Sequence, residues 1–236
     1  YLWSREDGTT YETDDPYGGS CWYWTTFHPP ERKEPAVLRA RQVDGQLEWE
    51  SHVDAAATLR HRLRLDDDLE RIVAQTPDDQ LLRNAYEAYR GMRLVRDSPF
   101  GTLVSFICSA QMRVARIHRM QEALRRTFGR EVTFDGTTYH AYPSPDALAA
   151  TTEERLRELG LGYRAPYVQR SAELVASGEL DPADARDQPY EEARGFLTGF
   201  VGVGQKVADC VLLFSLDYLE AVPLDTWIRT TIEEYY

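Results

Sequence analysis

The stretch from Gly199 to Asp225 constrains this chain most, because it places a glycine-rich turn between two segments of helical periodicity. The turn holds glycines that let a backbone bend sharply and be approached closely, at positions 199, 202 and 204. Apolar residues recur at helical spacing before and after it: Ala193, Phe196 and Leu197, then Val207, Ala208, Val211, Leu212 and Leu216. The sequence therefore predicts two helices joined by a tight turn. Free amides at the start of the second helix would favour an anion such as phosphate.

Lys206 lies in the first turn of that second helix, where the helix dipole disfavours a cation. Only one other lysine, Lys33, occurs in the chain, and the remaining basic residues are arginine. A lysine kept against its electrostatic preference beside an anion site indicates chemistry. The alternative is an ordinary helix–helix corner with one exposed lysine, and glycines alone do not separate the two readings.

Two better-known glycine motifs are excluded by spacing. A Walker A loop needs Gly-Lys-Ser/Thr, whereas Gly204 is followed by Gln205. A dinucleotide-binding fingerprint needs a third glycine where Val207 stands and a strand before the turn, where this chain has a helical pattern.

Composition describes a folded and strongly acidic protein. The 236 residues are 42% hydrophobic, with no apolar run near the roughly 20 residues that span a bilayer and no secretory signal. The three cysteines, Cys21, Cys108 and Cys210, are expected to be reduced thiols of an intracellular protein of the cytoplasm or nucleoid. The net charge of −12 with so little lysine is typical of salt-loving organisms, which favours a haloarchaeal source.

The pattern along the chain predicts an α+β fold with two parts. Residues 1–53 read as a small antiparallel β domain, with turns at Gly18-Gly19 and a hairpin at 43–47. Residues 54–236 read as a helical domain. Its predicted helices cover 55–63, 67–74, a segment capped by Thr76-Pro77-Asp78 and running to 89, 99–109, 114–128, 152–159, 166–175, 190–196 and 205–216, with a last helix from 225. The chain begins at Tyr1 and ends at Tyr236 inside a predicted helix, so we expect it to be cut at both ends.

Two further segments carry functional signals. Residues 99–130 hold six arginines against one acid, Glu122, and we call these arginines the basic island: Arg113, Arg116, Arg119, Arg125, Arg126 and Arg130. In so acidic a chain they favour contact with a polyanion over a merely solvated helix face. Tyr163-Arg164, on a loop between glycine-ended helices, suits insertion beside a base stack; the alternative is a core tyrosine with a surface arginine.

Several segments together carry a family resemblance. They are Ser105-Phe-Ile-Cys108-Ser with Ala115-Arg116-Ile117, Thr138-Tyr-His140, Leu159-Gly-Leu-Gly-Tyr-Arg164-Ala, Tyr190-Glu-Glu-Ala193, Gly202-Val-Gly-Gln-Lys-Val-Ala-Asp-Cys210 and Ala221-Val-Pro-Leu-Asp225. In order and spacing the chain resembles the helix-hairpin-helix DNA glycosylases, specifically the 8-oxoguanine DNA glycosylases of the eukaryotic type. The resemblance covers residue 54 to the end, and Tyr1-Leu-Trp3 is similar to the tail of a further family segment. It implies a partial TBP-like β domain followed by the helical glycosylase domain.

The resemblance implies base excision from damaged double-stranded DNA by a monomer that needs no cofactor and no membrane. Lys206 would attack the sugar C1′ of a flipped nucleotide and form a Schiff base, followed by β-elimination, and Asp225 would stabilise the cationic sugar. The other implied roles are phosphate binding at the hairpin amides of Gly202 and Gly204; a monovalent cation, K⁺ or Na⁺, on the carbonyls of Thr198, Phe200 and Val203; Gln111 as the plug; Tyr163 as the wedge; Arg116 and Arg164 as readers of the orphaned base; and Cys210 and Trp227 in the base pocket.

The chain departs from the family pattern at the plug, the hairpin and the pocket. Gln111-Met-Arg113 replaces an asparagine run, Val201 replaces a proline and Trp227 replaces a histidine. The glycine that discriminates the oxidised purine would precede Tyr1, and an aromatic residue and a glutamine of the pocket would follow Tyr236. Two alternatives stay open: a glycosylase for alkylated bases, which usually lacks the lysine, and a hairpin module that only binds DNA.

Overall fold

The N-terminal part of the chain forms a four-stranded antiparallel sheet in a computed structural model that describes residues 2–8 and 21–235. The strands are β1 Ser4–Arg5, β2 Tyr23–Phe27, β3 Ala36–Val43 and β4 Gln46–Ser51, in sheet order β1-β2-β3-β4. Asp44 and Gly45 both have positive φ, 49° and 78°, as a two-residue hairpin turn requires, so the hairpin predicted at 43–47 is confirmed. The turn predicted at Gly18-Gly19 lies outside the described residues, as do Tyr1 and Tyr236.

Both faces of this sheet are covered, because its side chains alternate between two apolar clusters. Leu38 and Ala40 pack with Leu59 of α1, which spans Ala56–Arg62. Val37, pointing to the other face, packs with Trp24 against a second, two-stranded sheet. The period of two along β3 thus ties the sheet to the helical part on both sides.

That second sheet is a hairpin that the sequence analysis missed, β5 Glu131–Phe134 and β6 Thr137–His140. Its turn uses Asp135 and Gly136, again with positive φ, 50° and 72°. The ring of Tyr139 meets Trp24 edge-on with centroids 5.0 Å apart. Arg39 links the two sheets by ion pairs, because its guanidinium pairs with Asp135 at 2.8 Å and also with acidic residues of its own sheet.

The rest of the described chain is helical. The further helices are α2 Leu69–Ala74, α3 Gln80–Ala88, α4 Pro99–Ser109, α5 Val114–Phe128, α6 Pro145–Ala149, α7 Glu153–Glu158, α8 Ala165–Ala176, α9 Tyr190–Leu197, α10 Gln205–Ser215 and α11 Thr226–Tyr235, with 3₁₀ turns at Gly162–Arg164 and Pro182–Ala185. The predicted helices agree closely with these in position, but α6 was not predicted. One cap was wrong: α3 is capped by Asp79, whose side chain accepts from the Leu82 amide at 2.9 Å, and not by 76–78.

Helix α4 is the centre of the helical core, as its apolar sequence predicts. Leu103, Val104, Ile107 and Cys108 are buried and pack in one cluster with the inner faces of α5, α8, α9 and α10. Helix α4 therefore lies against α10, and the two helices position the site described next. The α+β fold class is confirmed. The division at residue 53 stays a prediction, since α1 and the β5–β6 hairpin pack on the N-terminal sheet.

In the part of the chain that the structure describes, no helix is both long and apolar enough to cross a membrane.

Candidate active site

The predicted helix–turn–helix is present, with α9 and α10 joined by residues 198–204. Gly202 adopts a left-handed φ of 82°, and a Cβ there would come within 2.5 Å of Cδ2 of Tyr167. Gly204 is the N-cap of α10, and a Cβ built on it meets no atom within 4 Å. The first amides of α10 thus begin at an open surface, and free amides at a helix N-terminus favour an anion.

A partly buried hydrogen bond fixes the two helices of the hairpin against each other. The hydroxyl of Tyr190 on α9 donates to Asp209 on α10 at 2.8 Å. Burial and, next, the bond to Asp209 raise the pKa of Tyr190, so the phenol stays protonated and keeps donating. Since Asp209 lies on the first two turns of α10, this bond helps to fix the direction in which that helix presents its N-terminus.

Lys206 emerges from the first turn of α10 and is half-buried. Its Nζ lies 5.2 Å from the ring centroid of Phe106 on α4. One turn further along α10, the thiol of Cys210 is buried beside it. Burial raises the pKa of Cys210 to about 11, although the neighbouring Lys206 lowers it, so the thiol is neutral at physiological pH. The amine thus stands between an aromatic face and a small uncharged thiol, with no competing nucleophile in the thiolate form.

Asp225 caps the helix on the other side of the site. Its carboxylate accepts from the amide of Ile228 at 2.9 Å, which holds it at the N-terminus of α11. Lys206, Cys210 and Asp225 line one cavity of about 1060 Å³ between α4, α10 and the segment 223–229. An amine and a carboxylate, from α10 and from the start of α11, therefore line the same cavity.

The inner end of the cavity is polar in a way that the sequence did not reveal. Asp97, Thr102 and Ser105 line it, and their side chains are buried. Thr102 Oγ1 and Ser105 Oγ find no hydrogen-bond partner among the described residues, and neither does Asp97 Oδ1, which lies 3.8 Å from Nη1 of Arg62 as an ion pair. Only the apolar periodicity of α4 is visible in the sequence, and it gives no sign that two hydroxyls on this helix face a cavity. Buried polar groups of this kind are satisfied by a polar ligand or water.

Two of the predicted pocket and plug residues lie at the mouth of the cavity. Trp227 lines it but is 81% exposed, so the ring stands at the rim rather than within. Gln111, in the turn between α4 and α5, is exposed and lines the same opening, with a left-handed φ of 54°.

The loop of Tyr163 and Arg164 is arranged differently from the expectation. Positive φ at Gly160 and Gly162, 91° and 58°, turns the chain so that Tyr163 points outward, 49% exposed, and Arg164 inward, only 2% exposed. The Arg164 guanidinium lies 4.2 Å from the Tyr163 ring centroid and donates to the carbonyl of Ala110. Arg164 is thus absent from the described surface, whereas Arg116 is exposed on α5 outside the cavity.

The basic island is smaller at the surface than the sequence suggests. Arg125 is 1% exposed, lies between the rings of Trp24 and Tyr142 at 5.2 and 5.3 Å, and donates to the Leu2 carbonyl at 2.6 Å. Arg130 pairs with Glu34 at 3.0 Å. The N-terminal part of the chain covers that side of α5, which corrects the expectation of six surface cations. The members left exposed are Arg113, Arg116, Arg119, Arg126 and Arg130, the last of which has its charge paired with Glu34.

The hairpin carbonyls offer the donor type that an alkali cation takes. Phe200 O accepts from the amide of Val203 at 3.1 Å and keeps a second lone pair, while the Thr198 hydroxyl is occupied by Gly195 O at 2.7 Å. Backbone carbonyls suit K⁺ or Na⁺ and no charge is required of the site. Among residues 2–8 and 21–235 there is no cluster of His, Cys, Asp or Glu that could hold a metal ion, and the three cysteines are free thiols.

Comparisons with known proteins agree with this geometry. A probable N-glycosylase/DNA lyase of Methanothermobacter thermautotrophicus is 33% identical over 219 residues, which cover 83% of this chain and 70% of that protein. The N-glycosylase/DNA lyase of Saccharomyces cerevisiae is 35% identical over 226 residues, 87% of this chain and 60% of that protein. The chain thus spans 60–70% of the length of these two curated relatives.

Solved structures extend the likeness to the whole described fold. The 8-oxoguanine glycosylase/lyase of Clostridium acetobutylicum, in complex with double-stranded DNA containing cytosine opposite 8-oxoguanine, superposes with a TM-score of 0.82 at 25% identity. That match covers 100% of this chain and 76% of the other. Residues 104–236, which include α10 and Asp225, match the family described as HhH-GPD superfamily base excision DNA repair protein. The expectation from the motifs is confirmed: the chain belongs to the HhH-GPD superfamily of base excision DNA repair proteins.

Proposed function

We propose that this chain is a bifunctional DNA glycosylase and AP lyase of base-excision repair, which flips 8-oxoguanine out of double-stranded DNA and excises it with Lys206. The observation that carries the proposal is the cavity shared by Lys206 and Asp225, which opens beside the anion site of the hairpin. The names of the relatives and of the structural neighbour support the same lesion and the same pair of activities. A chromosomal substrate places its action inside the cell.

The reaction assigns bond making to Lys206. Its neutral amine attacks C1′ of the extruded nucleotide, the C1′–N9 bond breaks, and the base leaves with the electron pair and takes up a proton. Opening of the sugar ring then gives a Schiff base between Nζ and C1′. Loss of a proton from C2′ expels the 3′ phosphate, which is the lyase step. A preformed pocket for this amine, beside the neutral thiol of Cys210, is where such nucleophilic catalysis is expected.

Asp225 stabilises the charge that develops on the sugar. A carboxylate held by a helix N-cap keeps a fixed position, and a positioned negative charge in a cavity stabilises a cationic transition state without reorganisation. The same group is placed to take part in proton transfer to the departing base. We therefore assign Asp225 an electrostatic role that its capping bond helps to orient.

The hairpin holds the DNA backbone. Amides near Gly202 and Gly204 bind one phosphate, because the surface is open at Gly204, the N-cap of α10, and the helix dipole favours an anion. The carbonyls of Thr198, Phe200 and Val203 would hold a monovalent cation, whose charge, when it is bound, supports the same phosphate. Fixing one phosphate next to Lys206 fixes the sugar that the amine attacks.

Residues around the cavity mouth contact the DNA duplex and the extruded base. Extrusion of a base costs a few kcal/mol of lost stacking and pairing, and enzymes offset this by filling the gap. Gln111 at the mouth fills the vacated position and exposed Tyr163 wedges the stack. Exposed Arg116 contacts the orphaned base, whereas Arg164, which is 2% exposed, would first have to leave its buried position to do so. Cys210 inside and Trp227 at the rim contact the extruded base.

Borohydride trapping tests the lysine assignment, and the chain offers a matched control. With only two lysines present, Lys206→Gln should abolish the trapped complex with an 8-oxoguanine duplex, whereas Lys33→Gln should trap like the unsubstituted protein. If Lys206→Gln still traps, the nucleophile is another amine and the assignment is wrong.

A lesion panel separates the remaining alternatives. Strand cutting of 8-oxoguanine duplexes supports the proposal, and varying the opposite base gives the preference that Gln111 sets. Release of alkylated bases without trapping would indicate the alkyl-base glycosylase instead. Binding with neither base release nor strand cutting would indicate a hairpin module that only binds DNA.

A further inference from the structure

The buried guanidinium of Arg164 is an unusual feature next to the cavity. It is 2% exposed and forms no ion pair with a described carboxylate, and its Nε has no hydrogen-bond partner in residues 2–8 and 21–235. Burying a cation without a counterion is costly, so a residue needed only for packing would be better replaced by an apolar one. The one directional contact that the guanidinium makes here is with the carbonyl of Ala110.

That carbonyl belongs to the peptide plane that leads into the plug residue. Ala110 ends α4, and Gln111 follows with a left-handed φ of 54°. A non-glycine residue in this region carries strain and persists only where its surroundings determine it. Because the φ rotation of Gln111 starts from the Ala110–Gln111 peptide, a hydrogen bond to that peptide's carbonyl fixes the direction in which Gln111 leaves α4.

A row of contacts joins this arginine to the other openings. Its guanidinium lies over Tyr163, Tyr163 meets Tyr167 edge-on with centroids 6.2 Å apart, and Tyr167 packs against the Cα of Gly202. A continuous chain of side-chain contacts therefore connects the wedge residue, the hairpin and the turn that carries the plug. Arg164 is the member of the row that reaches from the loop of Tyr163 to the plug turn.

We infer that Arg164 is a positioning residue. In the free protein it fixes the Ala110–Gln111 turn relative to Tyr163 and so presents Gln111 at the cavity mouth. The inference deepens the proposed function and rests on it for the meaning of the plug. The inference concerns the free protein, in which the guanidinium is buried and donates to the carbonyl of Ala110. The arginine thus acts on the plug before any DNA arrives.

Hydrogen exchange of the free protein tests the positioning directly, without any assumption about activity. Arg164→Met keeps the buried aliphatic volume and removes every donor. We expect amides of residues 110–113 to exchange about tenfold faster or more, the factor that corresponds to loss of one charge-assisted hydrogen bond. Arg164→Lys, which restores one donor, should recover part of the protection, and Arg116→Met, an exposed arginine on the next helix, should leave this segment unchanged. Unchanged exchange in Arg164→Met overturns the inference.

A kinetic test separates positioning from general structure. Arg164→Met should slow single-turnover excision from an 8-oxoguanine duplex about tenfold, while borohydride trapping on a single-stranded abasic oligonucleotide, which needs no plug, keeps its rate. Adding Gln111→Ala to Arg164→Met should slow excision less than twofold further, because residues that act through one another are not additive. Full multiplication of the two single effects would overturn the inference. If the unsubstituted protein forms no borohydride-trapped complex, the proposed function is refuted, whereas the hydrogen-exchange result for Arg164→Met would remain valid.

Discussion

Replacement of Gly202 by alanine should disrupt the hairpin through two separable effects. Gly202 has a φ of 82°, a conformation that costs a residue with a Cβ about 1–2 kcal/mol. The new Cβ would also lie 2.5 and 2.7 Å from Cδ2 and Cγ of Tyr167, which are anchored ring atoms rather than a flexible chain end. Overpacking of this kind costs about 1–3 kcal/mol.

The two effects together predict a loss of roughly 2–5 kcal/mol in the free energy of unfolding, where the transition is cooperative. For a chain of this length that corresponds to a fall of about 4–20 °C in Tm. Thermal unfolding followed by circular dichroism, with urea titration as a second measure, gives the value.

Two variants make the prediction specific. In a Tyr167→Ala background the two ring-atom clashes are gone and only the Cβ contact at 3.1 Å remains. Gly202→Ala should then cost about 1–2 kcal/mol more, mainly from backbone conformation. Gly204→Ala meets no neighbouring atom and has a φ of −95°, so its stability should change by less than about 1 kcal/mol. DNA affinity should nevertheless fall in Gly204→Ala, because its methyl group stands where a phosphate approaches the amides.

A larger loss of stability in Gly204→Ala than in Gly202→Ala would contradict this prediction. If Gly202→Ala is as stable as the unsubstituted protein, the turn is not left-handed. A loss of only about 1–2 kcal/mol would mean that the Tyr167 ring moves aside freely. If Gly204→Ala binds DNA unchanged while remaining folded, the phosphate does not approach α10 at its N-cap.

Three further outcomes are expected. Asp225→Asn should keep the helix cap and Tm but lose most of the excision rate, whereas Asp225→Ala should also lose about 1 kcal/mol of stability; equal rates for Asn and the parent would contradict the charge role. Burial opposes ionisation of Asp217, but Arg96 and Arg64 outweigh it and lower its pKa, so its contribution to stability is present above the unfolded pKa of about 3.9 and is lost as pH falls below it. Asp217→Asn should therefore flatten stability below about pH 4, as acid titration of unfolding will show. Cys210, with a pKa near 11, should be alkylated at pH 8 about 100-fold more slowly in the folded protein than in denaturant, which peptide mass spectrometry measures.

The hairpin could be predicted because its signals are local. Glycine positions, helical periodicity and the misplaced Lys206 all lie within one short stretch, and no distant residue is needed to interpret them. The β5–β6 hairpin had a local signal too, the Asp135-Gly136 pair, but four-residue strands are too short for alternation to stand out. Their stability comes from Trp24, which is more than 100 residues away along the chain.

The arginines show where local reasoning fails. Arg125 has the same helical context as its exposed neighbour Arg126, and periodicity says which face each occupies but not whether that face is covered. Trp24 and Leu2, which belong to the N-terminal part of the chain, pack on Arg125 and bury it. The prediction that Arg164 lies at the surface fails for a different reason. The direction of its side chain depends on whether φ is positive or negative at Gly160 and Gly162, and a glycine can adopt either sign.

The scarcity of lysine sharpens the argument for Lys206. Of the 27 lysine and arginine residues in the chain only two are lysine, Lys33 and Lys206, and the other 25 are arginine. Arginine serves ion pairs and phosphate contacts at least as well as lysine, so its use elsewhere costs those functions nothing. It cannot serve as the nucleophile, because a guanidinium remains protonated and offers no free amine. At position 206 a neutral amine is the one property that arginine lacks, which is why the site's chemistry, rather than its charge, accounts for the lysine there.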